Sequence, residues 1–217
     1  MEREPFLSRV SDAAMMATLP RPPEVPELLP DLEAEDLVGL FRARAQEESV
    51  VVHGPVGRHG VPRAVTGIAA GHGAETYMAW DDLPAPGVTS ALTGSGVARV
   101  EHLVPDDLRI SSQLAYQTLD LGVTGADAGL AESGSVVLLH GEGRPRMASL
   151  IPQVHIALLD VGLIERTLVH WAHRHPDIVF ETSNLVVVTG PSRTADIEQR
   201  LTLGVHGPRH VHVVLFR

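Results

Sequence analysis

The densest run of chemically capable side chains is Gly122-Val-Thr-Gly-Ala-Asp-Ala-Gly-Leu-Ala-Glu-Ser-Gly-Ser-Val-Val137. Asp127 and Glu132 place two carboxylates five residues apart in a glycine-rich loop. Paired carboxylates suit general acid–base chemistry, and a loop glutamate can accept an acyl group as a nucleophile. Thr124, Ser133 and Ser135 add hydroxyls, while Gly125 and Gly134 let a ligand approach the backbone. The same residue types also satisfy turn and cap N–H groups, so spacing alone leaves both readings open.

A second dense segment, Thr189-Gly-Pro-Ser-Arg-Thr-Ala-Asp-Ile-Glu198, is followed by Leu203-Gly-Val-His-Gly-Pro208. Ser192, Arg193 and Thr194 stand where a helix would begin, so backbone N–H groups and a guanidinium could grip a small carboxylate or phosphate. Asp196 and Glu198 add two carboxylates, although acidic residues also suit the first turn of an ordinary helix. His155, beside Gln153, and His206 adjoin these loops and are further ligand-binding candidates; a hydrogen-bonded core histidine is the plainer account of His155. Of the 12 histidines, His170 and His173 lie off the apolar stripe of a helix expected over residues 161–174 and are expected in solvent. His210 and His212 share one face of a strand. No third ligand is placed by spacing, so no metal site is expected.

Absences narrow the chemistry further. The chain has no cysteine, and all 17 of its basic residues are arginine. Disulfides, thiolate metal sites, cysteine nucleophiles, Schiff-base lysines and a Walker lysine are therefore excluded. Gly94-Ser-Gly96 and Gly71-His-Gly73 are fragments of a dinucleotide fingerprint, so no nicotinamide cofactor is expected, and no other cofactor either. No G-x-S-x-G elbow is present. With a net charge of −10 and eight aromatic residues, the chain is a poor nucleic-acid binder. No apolar run approaches the ~18 residues of a membrane span. Met1-Glu-Arg-Glu-Pro5 has no secretory apolar core, so a cytoplasmic protein is expected.

These loops must be carried by a regular scaffold. Apolar runs near residues 49–53, 75–79, 97–104, 135–140, 154–159, 185–189 and 211–215 read as strands, many without polar alternation, as in strands buried on both faces. Helical spacing of Ala34, Leu37, Val38, Phe41 and Ala45, and helical patterns near residues 62–70 and 108–119, supply the alternating helices. Residues 81–96 read as loop. The fold class expected is α/β, a three-layer sandwich with a mostly parallel sheet, and ligands bind beyond the carboxyl ends of such strands. The loops at 121–137 and 189–208 are therefore expected to share a crevice there. Residues 1–30 read as a short helix and a Pro-rich arm, compatible equally with covering a second copy in a homo-oligomer and with a flexible tether. Residues 31–217 form the domain.

In these loops the sequence resembles the lactate utilization protein C family, the LUD-domain proteins. The resemblance rests on Gly122-Val-Thr-Gly-Ala-Asp127, Ala131-Glu-Ser-Gly-Ser-Val136, Pro152-Gln-Val-His-Ile156, Thr189-Gly-Pro-Ser-Arg-Thr-Ala-Asp-Ile-Glu198 and Gly204-Val-His-Gly-Pro208, in that order. It implies a fold of the NagB, ribose-phosphate isomerase and CoA-transferase type. It further implies a part in oxidising L-lactate to pyruvate beside iron–sulfur partner proteins, as a non-redox subunit or metabolite-binding partner. The Ala131-Glu-Ser-Gly134 turn is similar to the glutamate turn of CoA transferases, and Gly125-Ala-Asp127 to a sugar-phosphate isomerase loop. A stand-alone enzyme using Glu132 and Asp127 is the alternative that these shorter likenesses imply.

Overall fold

The computed structural model describes residues 34–101, 118–178, 182, 184–195, 201–203 and 207–217, with isolated positions 8, 9 and 12. The helical pattern expected over 108–119 falls almost wholly outside these residues, as does most of the N-terminal arm.

Six parallel strands form the central sheet: β1 (Val51–Val56), β2 (Thr76–Ala79), β3 (Ala98–Arg99), β4 (Leu121–Gly125), β7 (Val154–Asp160) and β12 (His210–Phe216). Their order is β1-β12-β7-β4-β2-β3. Parallel strands are buried on both faces, which is why β4 and β7 read as unbroken apolar runs. One face packs against helices α2 (Val61–Gly71) and α3 (Val88–Gly94) through Val65, Ile68, Leu92, Tyr77, Ile156 and Phe216. The opposite face meets α1 (Ala34–Glu47), which buries Leu37, Phe41 and Ala45 at four-residue intervals.

This third layer is only partly helical. Beside α1 lies a second sheet, with β5 (Ala128–Leu130), β6 (Ser135–His140), β8 (Ile164–Glu165) and β9 (Asn184–Val188) in the order β8-β5-β6-β9. Its outer side is covered by Trp171 of α5 (Leu168–Arg174). A short turn of helix, α4 (Met147–Leu150), packs on β4. The approach is so close that a Cβ on Gly122 would stand 1.7 Å from the Ala148 carbonyl oxygen.

Three local expectations are overturned. Residues 88–94 are helical although Ser, Thr and Gly give them poor propensity, because Val88 and Leu92 bury one face in the core. The stripe from Val161 to Ala172 is not one helix. Asp160 caps a tight turn at Val161–Leu163, Ile164 and Glu165 pair with β5, and α5 starts only after Thr167. Sheet pairing and Ile164 burial outweigh a helical spacing that local pattern alone suggested. Ser192, Arg193 and Thr194 do not open a helix, since β10 (Arg193–Ala195) pairs antiparallel with β11 (Leu201–Leu203).

Candidate functional site

Thr124, Asp127, His140, Arg144 and Trp80 gather where β4 leaves the carboxyl end of the central sheet, and His155 reaches Thr124 from β7. Thr124, fully buried on β4, has its hydroxyl 2.9 Å from Nε2 of His155 on β7. Strand alternation turns both toward the second sheet. Burial, then the nearby rings of His140 and His212, hold His155 neutral with a pKa lowered to about 3. Its Nδ1 is buried without a hydrogen-bond partner among the described residues. His140, at the end of β6, is also buried and packs edge-on against Trp80 at 5.6 Å. Burial lowers its pKa, aided by Arg146 and Arg144 and opposed by an Asn184 backbone hydrogen bond and the Asp127 charge.

Asp127 sits just past β4. Its Oδ2 accepts from the Leu139 N–H at 2.8 Å, and its Oδ1 lies 2.9 Å from Nη1 of Arg144. Arg144 also grips Asp82, with Nε 2.8 Å from Oδ2 and Nη2 2.6 Å from the same atom. Its guanidinium carbon lies 4.9 Å from the Trp80 ring centroid. Gly125 lies in the same turn, with a would-be Cβ 3.2 Å from Pro84. Beside this network is a cavity of about 230 Å³, lined by Leu139, His140, Gly141, Arg144, Ile178 and Thr182. That is below the ~300–1,000 Å³ of drug-sized sites and suits a ligand of few atoms.

Glu132 is elsewhere. The chain runs from Asp127 through the three residues of β5, about 10 Å at the rise of a strand, then turns back at 131–134. Gly134, at φ +65°, abuts the backbone of Arg44 and Ala45 near the C-terminal end of α1. That is the amino end of the central sheet, where α1 leads into β1. Glu132 is exposed there and paired with Arg166, Oε1 to Nε 2.6 Å. Ser135 bonds to Ser133 at 2.8 Å and to Thr189 at 3.0 Å, so these hydroxyls satisfy one another.

The 189–193 segment does meet the 131–135 turn, but at the amino end. Ser192 donates its N–H to Pro208 ahead of β12, and Arg193 binds the Glu48 carbonyl at 3.0 Å, the Glu48 carboxylate at 3.2 Å and Ser49 at 3.0 Å. The crevice expected at the carboxyl edge is therefore divided: Thr124 and Asp127 are there, His155 reaches Thr124 from the second residue of β7, near that strand's amino end, and Glu132, Ser133, Ser135, Ser192 and Arg193 are not there. Thr194 belongs to β10, while Asp196, Glu198 and His206 lie outside the described residues. His170, expected in solvent, is buried with Nδ1 2.8 Å from the Thr167 hydroxyl.

Trp80, Asp82, His140, Arg144 and Arg146 escaped sequence reasoning. The signal was present in His140-Gly-Glu-Gly-Arg-Pro-Arg146, another glycine-broken loop after an apolar strand.

Comparison with known proteins identifies the family and the fold. The LUD domain model matches residues 63–216. A lactate utilization protein C of Shouchella clausii is 30% identical over 190 residues, covering 84% of this chain and 80% of the relative. A protein of the same name from Halalkalibacterium halodurans is 31% identical over 191 residues with the same coverage. The crystal structure of a DUF162 family protein from Deinococcus radiodurans superposes with a TM-score of 0.66 at 24% identity, over 86% of this chain and 99% of that one. That likeness carries the fold.

Proposed function

This chain belongs to the LUD domain family, and on that premise we propose that it serves lactate utilization as a component with no redox centre of its own. In this reading it holds a small carboxylate of the lactate or pyruvate type in the cavity beside His140, while iron–sulfur partner proteins carry the electrons. Having no cysteine, the chain offers no thiolate to a cluster.

The observation that carries the reading is how the candidate carboxylates are engaged. Glu132 is salt-bridged on an exposed hairpin tip and does not line the cavity beside His140. Asp127 is committed to Leu139 and Arg144. Neither is poised as an acyl acceptor or a proton shuttle. By contrast, Arg146 has no ion-pair partner among the described residues and lies close enough to His140 to disfavour its protonation. Arg146 stands outside the residues that line the cavity, and its uncommitted charge favours a small carboxylate bound beside His140.

Thermal shift with L-lactate, pyruvate and neutral lactamide tests this. A ligand at one hundred times its Kd adds about 2.7 kcal/mol, or roughly 5–10 °C for a chain of this size. Lactate or pyruvate should stabilise the protein, lactamide should not, and Arg146→Ala should abolish the difference. Equal effects of lactate and lactamide would sink the proposal. Incubation with acyl-CoA and hydroxylamine adds a second readout: a hydroxamate at Glu132 would establish the acyl-transfer alternative instead.

A further inference from the structure

A larger cavity, about 640 Å³, lies on the other face of the central sheet between β1, β12 and α2. Three imidazoles line it as a chain. His53 Nε2 is 2.9 Å from His212 Nδ1, and His212 Nε2 is 3.0 Å from His72 Nε2. Because His212 turns a different nitrogen to each neighbour, the rings form a line and do not converge. Among the described residues no three side chains stand placed to hold a metal ion.

Proton counting shows what the line can do. Three neutral imidazoles carry three N–H groups, and each ring–ring contact uses one. One N–H is left over, on the outer nitrogen of His53 or of His72. A fourth proton would make both outer nitrogens donors and leave the chain with a positive charge.

The remainder of the wall points to an anion with an apolar body. Arg63 lines the cavity with no ion-pair partner among the described residues, and no carboxylate lines it, in a chain with 27 acidic residues and a net charge of −10. Val56, Ala64 and Ile68 make the remaining surface aliphatic. Gly67 is inside α2, where glycine is unfavourable relative to alanine. A Cβ there would meet nothing within 4 Å. Packing does not require that glycine, and its bare position leaves this part of the cavity wall open.

We propose that this cavity binds an organic carboxylate with an apolar body larger than lactate's, its head group between Arg63 and the imidazole chain, and that binding draws one proton from the buffer into that chain. This site is separate from the cavity beside His140. The charged and titratable groups bearing on the chain are His210 next to it on β12, Arg63 on α2, Arg42 acting on His53 from α1, and His155 across the sheet. None is acidic. Burial lowers the pKa of His53 and His72 and takes His212 to about 4, so the unliganded chain is neutral at pH 7.

Calorimetric titration of the full chain with benzoate, and with benzamide as its neutral isostere, tests the proposal. Heats measured in phosphate and in Tris at pH 7 count the protons taken up. Benzoate should bind at least tenfold more tightly than benzamide, with close to one proton absorbed, and its affinity should rise up to tenfold per pH unit as pH falls from 7.5 to 6. Gly67→Leu, which fills the cavity, and Arg63→Gln, an exposed change that leaves the core intact, should each weaken benzoate at least tenfold. Arg146→Ala should leave benzoate unaffected while altering lactate binding, so the two sites fail independently. No benzoate binding at millimolar concentration, equal binding of benzamide, buffer-independent heats, or indifference to Arg63→Gln would each overturn the proposal.

Discussion

Acidification should unfold this protein through its buried neutral histidines, and His155 gives the sharpest case. In the unfolded chain its imidazole titrates near 6.5, whereas in the fold it is fully buried and titrates near 3. Above pH 6.5 both states are neutral and the shift has no effect on stability. Below it, the unfolded state binds a proton that the folded state refuses, so stability falls as pH falls toward the folded value. Each such group costs about 1.4 kcal/mol per pH unit, so at pH 4.5 His155 alone removes about 2.7 kcal/mol. His212, with its pKa near 4, lines an open cavity, and at half weight for solvent screening it removes about 1.4 kcal/mol more. A loss of about 4 kcal/mol is a large share of the 5–15 kcal/mol typical of a domain. Trp80 and Trp171 are both buried, so urea unfolding can be followed by their fluorescence from pH 7.5 to 4.5. In His155→Gln, which keeps an amide opposite Thr124, the slope below pH 6 should fall by about 1.4 kcal/mol per pH unit. A wild-type profile flat between pH 6.5 and 4.5, or an unchanged slope in the variant, would refute the reasoning.

Gly122→Ala should be among the most damaging single substitutions, since its Cβ would lie 1.7 Å from the Ala148 carbonyl. We expect a cost of about 3 kcal/mol or more, visible as lost soluble yield or a drop in Tm, and a change below 0.5 kcal/mol, on the order of a neutral surface substitution, would contradict the tight α4–β4 packing. Asp127→Asn should cost about 1–3 kcal/mol by urea unfolding, because it removes the charge between the Leu139 N–H and Arg144. It should also weaken lactate binding by loosening the cavity rim. Glu132→Gln and Arg193→Ala remove partly exposed ion pairs and should each cost at most ~1 kcal/mol without altering lactate affinity in thermal shift. A tenfold loss in either would return the binding site to the amino end of the sheet.

Much of the scaffold was legible in the sequence because its signals are local. Strands of both sheets leave apolar runs, and β2, β6, β7, β9 and β12 were read from them within a residue or two. The stripe of Leu37, Phe41 and Ala45 marked α1 because one helix face meets the core. Absences were equally readable: without lysine or cysteine, whole classes of chemistry cannot be performed by this chain. The five ordered motif blocks were legible as a family resemblance, and the family comparison agrees.

What the sequence could not decide depends on partners distant along the chain. Asp127 and Glu132 are five residues apart, yet β5 carries one away from the other, and pairing with β8 and β6 sets that direction. Arg193 looked like an anion clamp in its loop and became a tether because Glu48 and Ser49 arrive from the end of α1. His210 and His212 stood as an isolated pair until β1 and α2 brought His53 and His72 against them. His140, Arg144 and Trp80 meet only because the second sheet folds back over the carboxyl end of the first. Side-chain type and spacing determined which chemistry was available to this protein, whereas long-range strand pairing and packing decided which of those groups meet, because such contacts leave no periodicity in the chain.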